Sequence, residues 1–330
     1  MESLGGVTIV VRRQATLLAA GLVLAPAAVI LGSAVPVMAE SILAYAIPTP
    51  NSYPAEIVSG PNNALWFVEV TGNQIGEITP SGSITQFAVP TPGSQPADLV
   101  AGRDGKLWFT EWSGNKVGEL TPAGQVTEFP IPTPNSEPQG IAVGRNGDLW
   151  FAEYAANKIG RLSPSGHFKE FTLPTGSGPW DIVRGPGGMW FTAANGDAIG
   201  RITPGGKVQE FALPTANAFP QGIAAGPGGI WFTEADGNKI GLLNTTTHLI
   251  EEFVLPEANS APVGITQGPG GNMWFTETFG NRIGEITPSG QITEYPLPTP
   301  GNYPRGIAVG PDGALWFTNS VGNSIGRLAP

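Results

Sequence analysis

Gln139-Gly140-Ile141-Ala142-Val143-Gly144 is followed by Leu149-Trp150-Phe151-Ala152-Glu153, Lys158-Ile159-Gly160-Arg161-Leu162 and Phe168-Lys169-Glu170-Phe171-Thr172-Leu173-Pro174. These are four short apolar runs separated by Gly, Pro and Asn, and the unit recurs along the chain. Its tryptophan returns as Trp66, Trp108, Trp150, Trp190, Trp231, Trp274 and Trp316, at spacings of 42, 42, 40, 41, 43 and 42 residues. A period of this size is the signature of a repeat architecture. The runs are rich in Ile, Val, Leu, Phe, Trp and Thr, which is strand composition. The breaks are turn sequences such as Gly-Pro-Gly-Gly at 185–188, Asp-Gly-Asn at 236–238 and Thr-Pro-Ser-Gly at 287–290, where Gly and Asn supply positive φ and Pro presets the first turn position.

No helical period survives the Pro and Gly interruptions. Each unit is therefore expected to be a four-stranded antiparallel meander. Such a sheet cannot bury both faces alone, but seven in a ring can, so the expected fold is an all-β, seven-bladed β-propeller. The fourth-strand pattern occurs only six times, as Ile84–Val89, Val126–Ile131, Phe168–Leu173, Val208–Leu213, Ile250–Leu255 and Ile292–Leu297. The missing copy lies at the other end, where Ile42-Leu43-Ala44-Tyr45-Ala46-Ile47-Pro48-Thr49-Pro50 matches Ile292-Thr293-Glu294-Tyr295-Pro296-Leu297-Pro298-Thr299-Pro300. The N-terminal strand is expected to pair with the last blade and leave the ring without an open edge.

The repeat fills residues 42–330, so residues 40–330 read as one propeller domain despite the length of 330. Residues 1–39 differ. Arg12 and Arg13 precede a mostly apolar run from Ala15 to Ala39, and Val37-Met38-Ala39 before Glu40 has the small residues of a signal-peptidase site. They read as a cleaved export signal, with an uncleaved N-terminal anchor as the alternative, so the expected location is periplasmic or extracellular. The membrane enters only through that segment. Cysteine is absent, which rules out disulfides, thiol catalysis and cysteine metal sites. Cleavage after Ala39 leaves 14 basic and 25 acidic residues, a net charge of −11. An acidic chain without a basic block argues against nucleic acid and against anionic membrane surfaces. Nothing in the pattern calls for an oligomer, and a monomer is expected.

Gly-Pro-Gly-Gly-Asn-Met-Trp-Phe-Thr-Glu at 268–277, Gly-Asn-Arg-Ile-Gly-Glu-Ile-Thr-Pro-Ser-Gly at 280–290 and Ile-Thr-Glu-Tyr-Pro-Leu-Pro-Thr-Pro at 292–300 resemble the streptogramin B lyases, also called virginiamycin B lyases. The resemblance runs through all seven units. It implies a propeller with a ligand site around the axis of one face, where a metal such as Mg2+ assists an elimination that opens the ester ring of a cyclic depsipeptide antibiotic. That chemistry requires a base for the proton beside the carbonyl and an electrophile for the developing enolate. The family carries histidines for it in a Pro-His-x-Ile phrase at the start of first strands. Here the residue after Pro is Ala55, Ala97, Gln139, Trp180, Gln221, Val263 and Arg305, never His. The chain has two histidines, His167 and His248, both in turns between third and fourth strands.

The scaffold of the family is thus expected without its catalytic histidines. Glutamine does not titrate and cannot replace a base; Glu137 and Arg305 are the catalytic candidates that remain. Gln139, Trp180, Gln221 and Arg305 are expected to bind ligand, because the repeats diverge there while their packing positions stay alike. The Trp-Phe-x-Glu phrase supplies Glu69, Glu111, Glu153, Glu234 and Glu277, either as a ring for a hard cation or as caps of their own turns. The seven periodic tryptophans read as core. The functions in view are an exported binder of a small cyclic or peptide-like ligand, an active metal-assisted carbon–oxygen lyase, and an envelope scaffold that holds a protein partner.

Overall fold

A computed structural model describes residues 42–329; the expected leader, residues 1–39, lies outside them. Seven four-stranded antiparallel sheets are present, each with its strands in meander order. Blade 1 comprises Pro54–Gly60, Ala64–Glu69, Gln74–Ile78 and Ile84–Ala88. Blade 3 comprises Pro138–Val143, Leu149–Glu153, Lys158–Leu162 and Phe168–Thr172. The innermost strands neighbour one another in succession, and the first blade's returns to the seventh's. The chain is a seven-bladed β-propeller.

The last blade combines Pro304–Val309, Leu315–Asn319 and Ser324–Leu328 with Ile42–Ala46 as its outer strand. Ile42 pairs with Leu328 and Ala46 with Ser324 over an unbroken antiparallel register. Tyr45 stacks on Trp316 at 5.5 Å between ring centroids, as Phe87 stacks on Trp66 and Phe171 on Trp150 within their own blades.

The core lies between blades because side chains alternate along each second strand. In blade 1, Trp66 and Val68 face blade 2, while Leu65 and Phe67 pack against blade 7. The phenylalanine needs glycine beside it on the third strand: a Cβ at Gly76 would fall 2.1 Å from Phe67 Cζ. The Asn of each Gly-Asn turn does more than supply positive φ. Asn73 (φ 54°) donates to the Val89 and Thr91 carbonyls and accepts from the Ser94 amide at 2.8 Å, tying blade 1 to blade 2. Asn323 repeats this across the closure, donating to the Ile47 and Thr49 carbonyls and accepting from the Ser52 amide.

Candidate ligand-binding face

Every innermost strand begins with Pro and shifts register against the second strand before its Ile or Leu. This bulge breaks the two-residue alternation and lets both residues after Pro reach the axis. Each blade contributes such a residue to a small axial cup with a cavity volume of about 80 Å³. Gln139, Trp180, Gln221 and Arg305, predicted from repeat divergence, all line it. So do three carboxylates that the sequence reading missed: Glu56, Asp98 and Asp181.

The acids share their position with four glycines, Gly140, Gly222, Gly264 and Gly306. Two act as staples between blades. Asp98 accepts from its own neighbour's amide, Leu99, at 2.6 Å and from the Ile141 amide of the next blade at 2.7 Å. Asp181 likewise accepts from Ile182 at 2.7 Å and from Ile223 at 3.1 Å. Space for these side chains comes from the glycines: a Cβ at Gly140 would lie 2.5 Å from Asp181 Oδ1, and one at Gly306 would lie 2.8 Å from Glu56 Oε2.

Burial raises the pKa of all three acids, because a carboxylate loses its hydration in the cup. Asp98 is pushed well up by burial and by the charges of Asp181 and Glu56, against the pull of its two amides. Asp181 is pushed up to about 7 by burial and by Glu56. Glu56 is raised by burial and partly restored by the Arg305 guanidinium. At neutral pH the cup therefore carries less negative charge than its composition suggests.

Aromatic side chains surround the cup. Trp180 stands between Tyr154 at 5.3 Å and Phe219 at 5.8 Å, both edge to face. On the other side, Phe279 meets Tyr303 at 5.8 Å, and the Arg305 guanidinium lies over Tyr53 at 5.8 Å while donating to its hydroxyl at 3.3 Å. Tyr53, Trp112, Phe279 and Tyr303 are exposed, Phe279 by 69%. Several of these rim residues sit just before the first-strand Pro, where the backbone is left-handed: φ is 53° at Tyr53, 48° at Phe219 and 53° at Tyr303. The available sequence signal was an aromatic in a turn position that usually holds a polar residue.

The other candidates fall elsewhere. Glu137 occupies the same left-handed position (φ 50°) and is outside the cup lining. His167 is exposed in its turn beside Ser165, and His248 packs on Phe211 at 4.8 Å. The five glutamates reach the same end of the ring, opposite the first-strand prolines in register, but each is fully buried within its own blade. They do not converge into a ring of ligands. Among the described residues, no group of three or more His, Asp or Glu is placed to hold a metal ion. Nor is a backbone turn-capping bond made by Glu111, Glu153, Glu234 or Glu277, whose carboxyl oxygens are sealed from solvent; the Ser94 and Ser260 hydroxyls stand beside Glu111 and Glu277. Glu69 alone has a side-chain donor to both oxygens, Gln86 Nε2 at 2.8 Å.

Trp180 is half-buried, so replacing it by Ala removes ring surface from the rim and leaves the blade cores untouched. We expect Trp180→Ala to keep a melting temperature within about 3 °C of wild type, as surface changes away from packed groups do, while ligand affinity at this face falls about tenfold or more. Calorimetric titration beside a thermal melt reads both.

The family model for the virginiamycin B lyase family matches residues 35–153 and 142–330. A solved structure described as a streptogramin B lyase is 41% identical, with 88% of this chain and 97% of that chain covered and a TM-score of 0.84. Virginiamycin B lyase from Staphylococcus aureus is 37% identical over 88% of this chain and 99% of its own, also with a TM-score of 0.84. A catalytically inactive histidine-to-alanine variant of that enzyme, solved with quinupristin, matches equally well, at 37% identity and a TM-score of 0.84 over 88% of this chain and 99% of that chain. No curated protein sequence matches the chain. The family model and these structures each span most of the propeller, and the chain belongs to the virginiamycin B lyase family.

Proposed function

We propose that this protein is an exported member of the family that binds a cyclic, peptide-like ligand over its axial cup without opening the ring. The observation that carries this reading is the aromatic rim around a polar cup that has no histidine. Rings at Tyr154, Trp180 and Phe219 on one side, and at Tyr53, Phe279 and Tyr303 on the other, suit the apolar faces of a macrocycle. The amides of Gln139 and Gln221 and the guanidinium of Arg305 suit its carbonyls. A relative was solved with quinupristin, which makes that compound the natural probe.

The lyase reading needs a base and an electrophile. Asp181, with its pKa pushed up to about 7 by burial and by Glu56, is a cup residue that titrates near neutrality. Both its oxygens already accept backbone amides, one from Ile182 in its own strand and one from Ile223 in the next blade, which suits a positioning role better than proton abstraction. A hard cation fares no better. Four carboxylate oxygens of Asp98 and Asp181 are committed to amides, and Glu56 faces Arg305, so these residues do not make an oxygen cage for Mg2+.

Quinupristin is expected to bind saturably and to be recovered intact by mass spectrometry after prolonged incubation. Affinity should be the same in EDTA and in millimolar magnesium. A linear product of the same mass, formed only with magnesium, would overturn both statements. Absence of binding would leave the protein-scaffold reading in its place.

A further inference from the structure

A cavity much larger than the cup is a groove of about 560 Å³ between blades 3 and 4, at the end where first strands turn into second strands. Its floor includes Trp150 and Met189, its walls include Gly144, Gly185 and Gly188, and three guanidinium groups stand along it: Arg145, Arg161 and Arg184. The single carboxylate there is Asp148, which holds Arg161 at 2.7 Å, and that guanidinium lies over Trp150 at 5.4 Å.

Beside the groove is a fourth guanidinium. Arg201 lies over Trp190 at 5.6 Å, and its Nη1 would be 3.4 Å from a Cβ at Gly187 on the groove wall. Arginines at this third-strand position in other blades have a carboxylate: Arg161 pairs with Asp148 and Arg327 with Asp312, each from its own blade's first loop. In blade 4 that loop is Gly185-Pro186-Gly187-Gly188 and offers no acid. Arg201 makes one bond, to Gln209 Oε1 at 3.2 Å, and its Nε is buried without a partner. Arg145 and Arg184 are exposed and make no ion pair among the described residues.

Divergence between repeats points the same way. At the position of Arg145, blade 2 also has an arginine, Arg103, while the others carry Pro61, Pro186, Pro227, Pro269 and Pro311; Arg184 stands alone, since at its position the other blades carry Ser59, Ala101, Val143, Ala225, Gln267 and Val309. Four arginines against one acid thus meet at one inter-blade groove of a chain whose net charge is −10. Such a concentration costs self-repulsion that an anion would relieve.

We propose that this groove is a second binding site, separate from the cup, for a small organic oxyanion: a phosphate or carboxylate joined to a flat apolar body. Guanidinium forks match such oxyanions in two-point geometry. The glycine walls leave room for the body above Trp150 and Met189, and the volume is that of a small-molecule pocket.

Titration calorimetry at low ionic strength with 1-naphthyl phosphate and, in a second arm, 1-naphthoate tests this. Saturable binding with one dominant site is expected for at least one probe, weakening as salt is raised. Arg184→Glu and Arg145→Glu, at exposed positions, should each weaken it tenfold or more, as should Arg201→Gln. Trp180→Ala in the cup rim should bind the probe like wild type. Inorganic phosphate should bind more weakly than naphthyl phosphate, since it lacks the body. Absence of saturable binding to the wild type, or wild-type affinity in both charge-reversed variants, would overturn the proposal; loss in Trp180→Ala alone would assign the probe to the cup.

Discussion

Warming the protein at pH 9 should unfold it well below the temperature needed at pH 5.5, by about 5 °C or more, and Glu153→Gln or Glu234→Gln should recover part of the difference. Both carboxyl groups are fully buried. Burial and the neighbouring outer-strand glutamates push Glu153 and Glu234 up to about 8, against the pull of Lys158 and Lys239; Glu111 and Glu277 reach about 7. A raised acid pKa means that the folded state holds its proton more tightly than the unfolded chain does. The resulting stabilisation is complete below the unfolded value of 4.5 and is lost as pH climbs through the folded value. The sensitive window is therefore roughly pH 4.5 to 8. Each tenfold gain in proton affinity on folding corresponds to about 1.4 kcal/mol. With rearrangement and water entry relieving part of the strain, a loss of roughly 1–2 kcal/mol per glutamate is expected.

The orphaned oxygens of these residues make sense in the same terms. A protonated Glu234 can donate to Glu252 beside it, which itself accepts from Lys239 Nζ at 2.6 Å. Gln keeps a donor and cannot ionise, so the glutamine variants should melt almost independently of pH between 5.5 and 9 at their own sites. The outer glutamates act oppositely: Glu128, Glu170 and Glu252 are held below 4.5 by lysine and threonine partners, and their contribution is lost as pH falls through that range. Differential scanning calorimetry across pH 3 to 9 should show an optimum near pH 4 to 5, where the outer pairs are still ionised and the buried glutamates still protonated. A melting temperature that rises steadily to pH 9 would contradict the buried belt.

Deleting residues 40–50 should abolish the folded ring or lower its melting temperature by more than 15 °C. Ile42–Ala46 supplies the outer ladder of blade 7. Tyr45 covers Trp316, Ile47 is buried between blades, and Asn323 would lose both carbonyls it donates to. At about 1 kcal/mol per lost ladder bond and about 2 kcal/mol for each buried side chain, the cost is roughly 5–10 kcal/mol. That equals the whole stability of many domains. Tyr45→Ala, which keeps the ladder, should cost only roughly 2–4 kcal/mol. Circular dichroism melts of both variants would separate the two contributions, and an unchanged melt for the deletion would refute the closure.

Most of the architecture was written in the 42-residue rhythm of Trp66 to Trp316, because positions that pack between blades must stay alike. The closing strand was legible for the same reason, since Tyr45 repeats Tyr295. The cup was only half legible. Gln139, Trp180, Gln221 and Arg305 stood out by differing from one another, but Glu56, Asp98 and Asp181 were hidden. Strand alternation would turn every second residue away from the axis, and the bulge after each Pro defeats that rule. The Trp-Phe-x-Glu glutamates misled in the opposite sense: they occur where ligands could gather, yet alternation beside Phe151 and its equivalents sends them into the blade interior.

The mixture of acid and glycine after the first-strand residue pair has a meaning for how this ring can be copied. A consensus repeat, voted by majority over the seven units, would write glycine there, following Gly140, Gly222, Gly264 and Gly306. It would keep every contact between sheets and erase the bonds that carry Asp98 to Ile141 and Asp181 to Ile223. Writing the acid everywhere fails too, because Gly222 and Gly264 would drive a Cβ to 2.2 Å from the next blade's carbonyl oxygen. Seven-fold identity is compatible with the outside of this molecule and not with its centre. An ancestor made of equal blades would have had to lose its symmetry from the axis outward, and a designer who restores that symmetry should recover the fold and forfeit the cup.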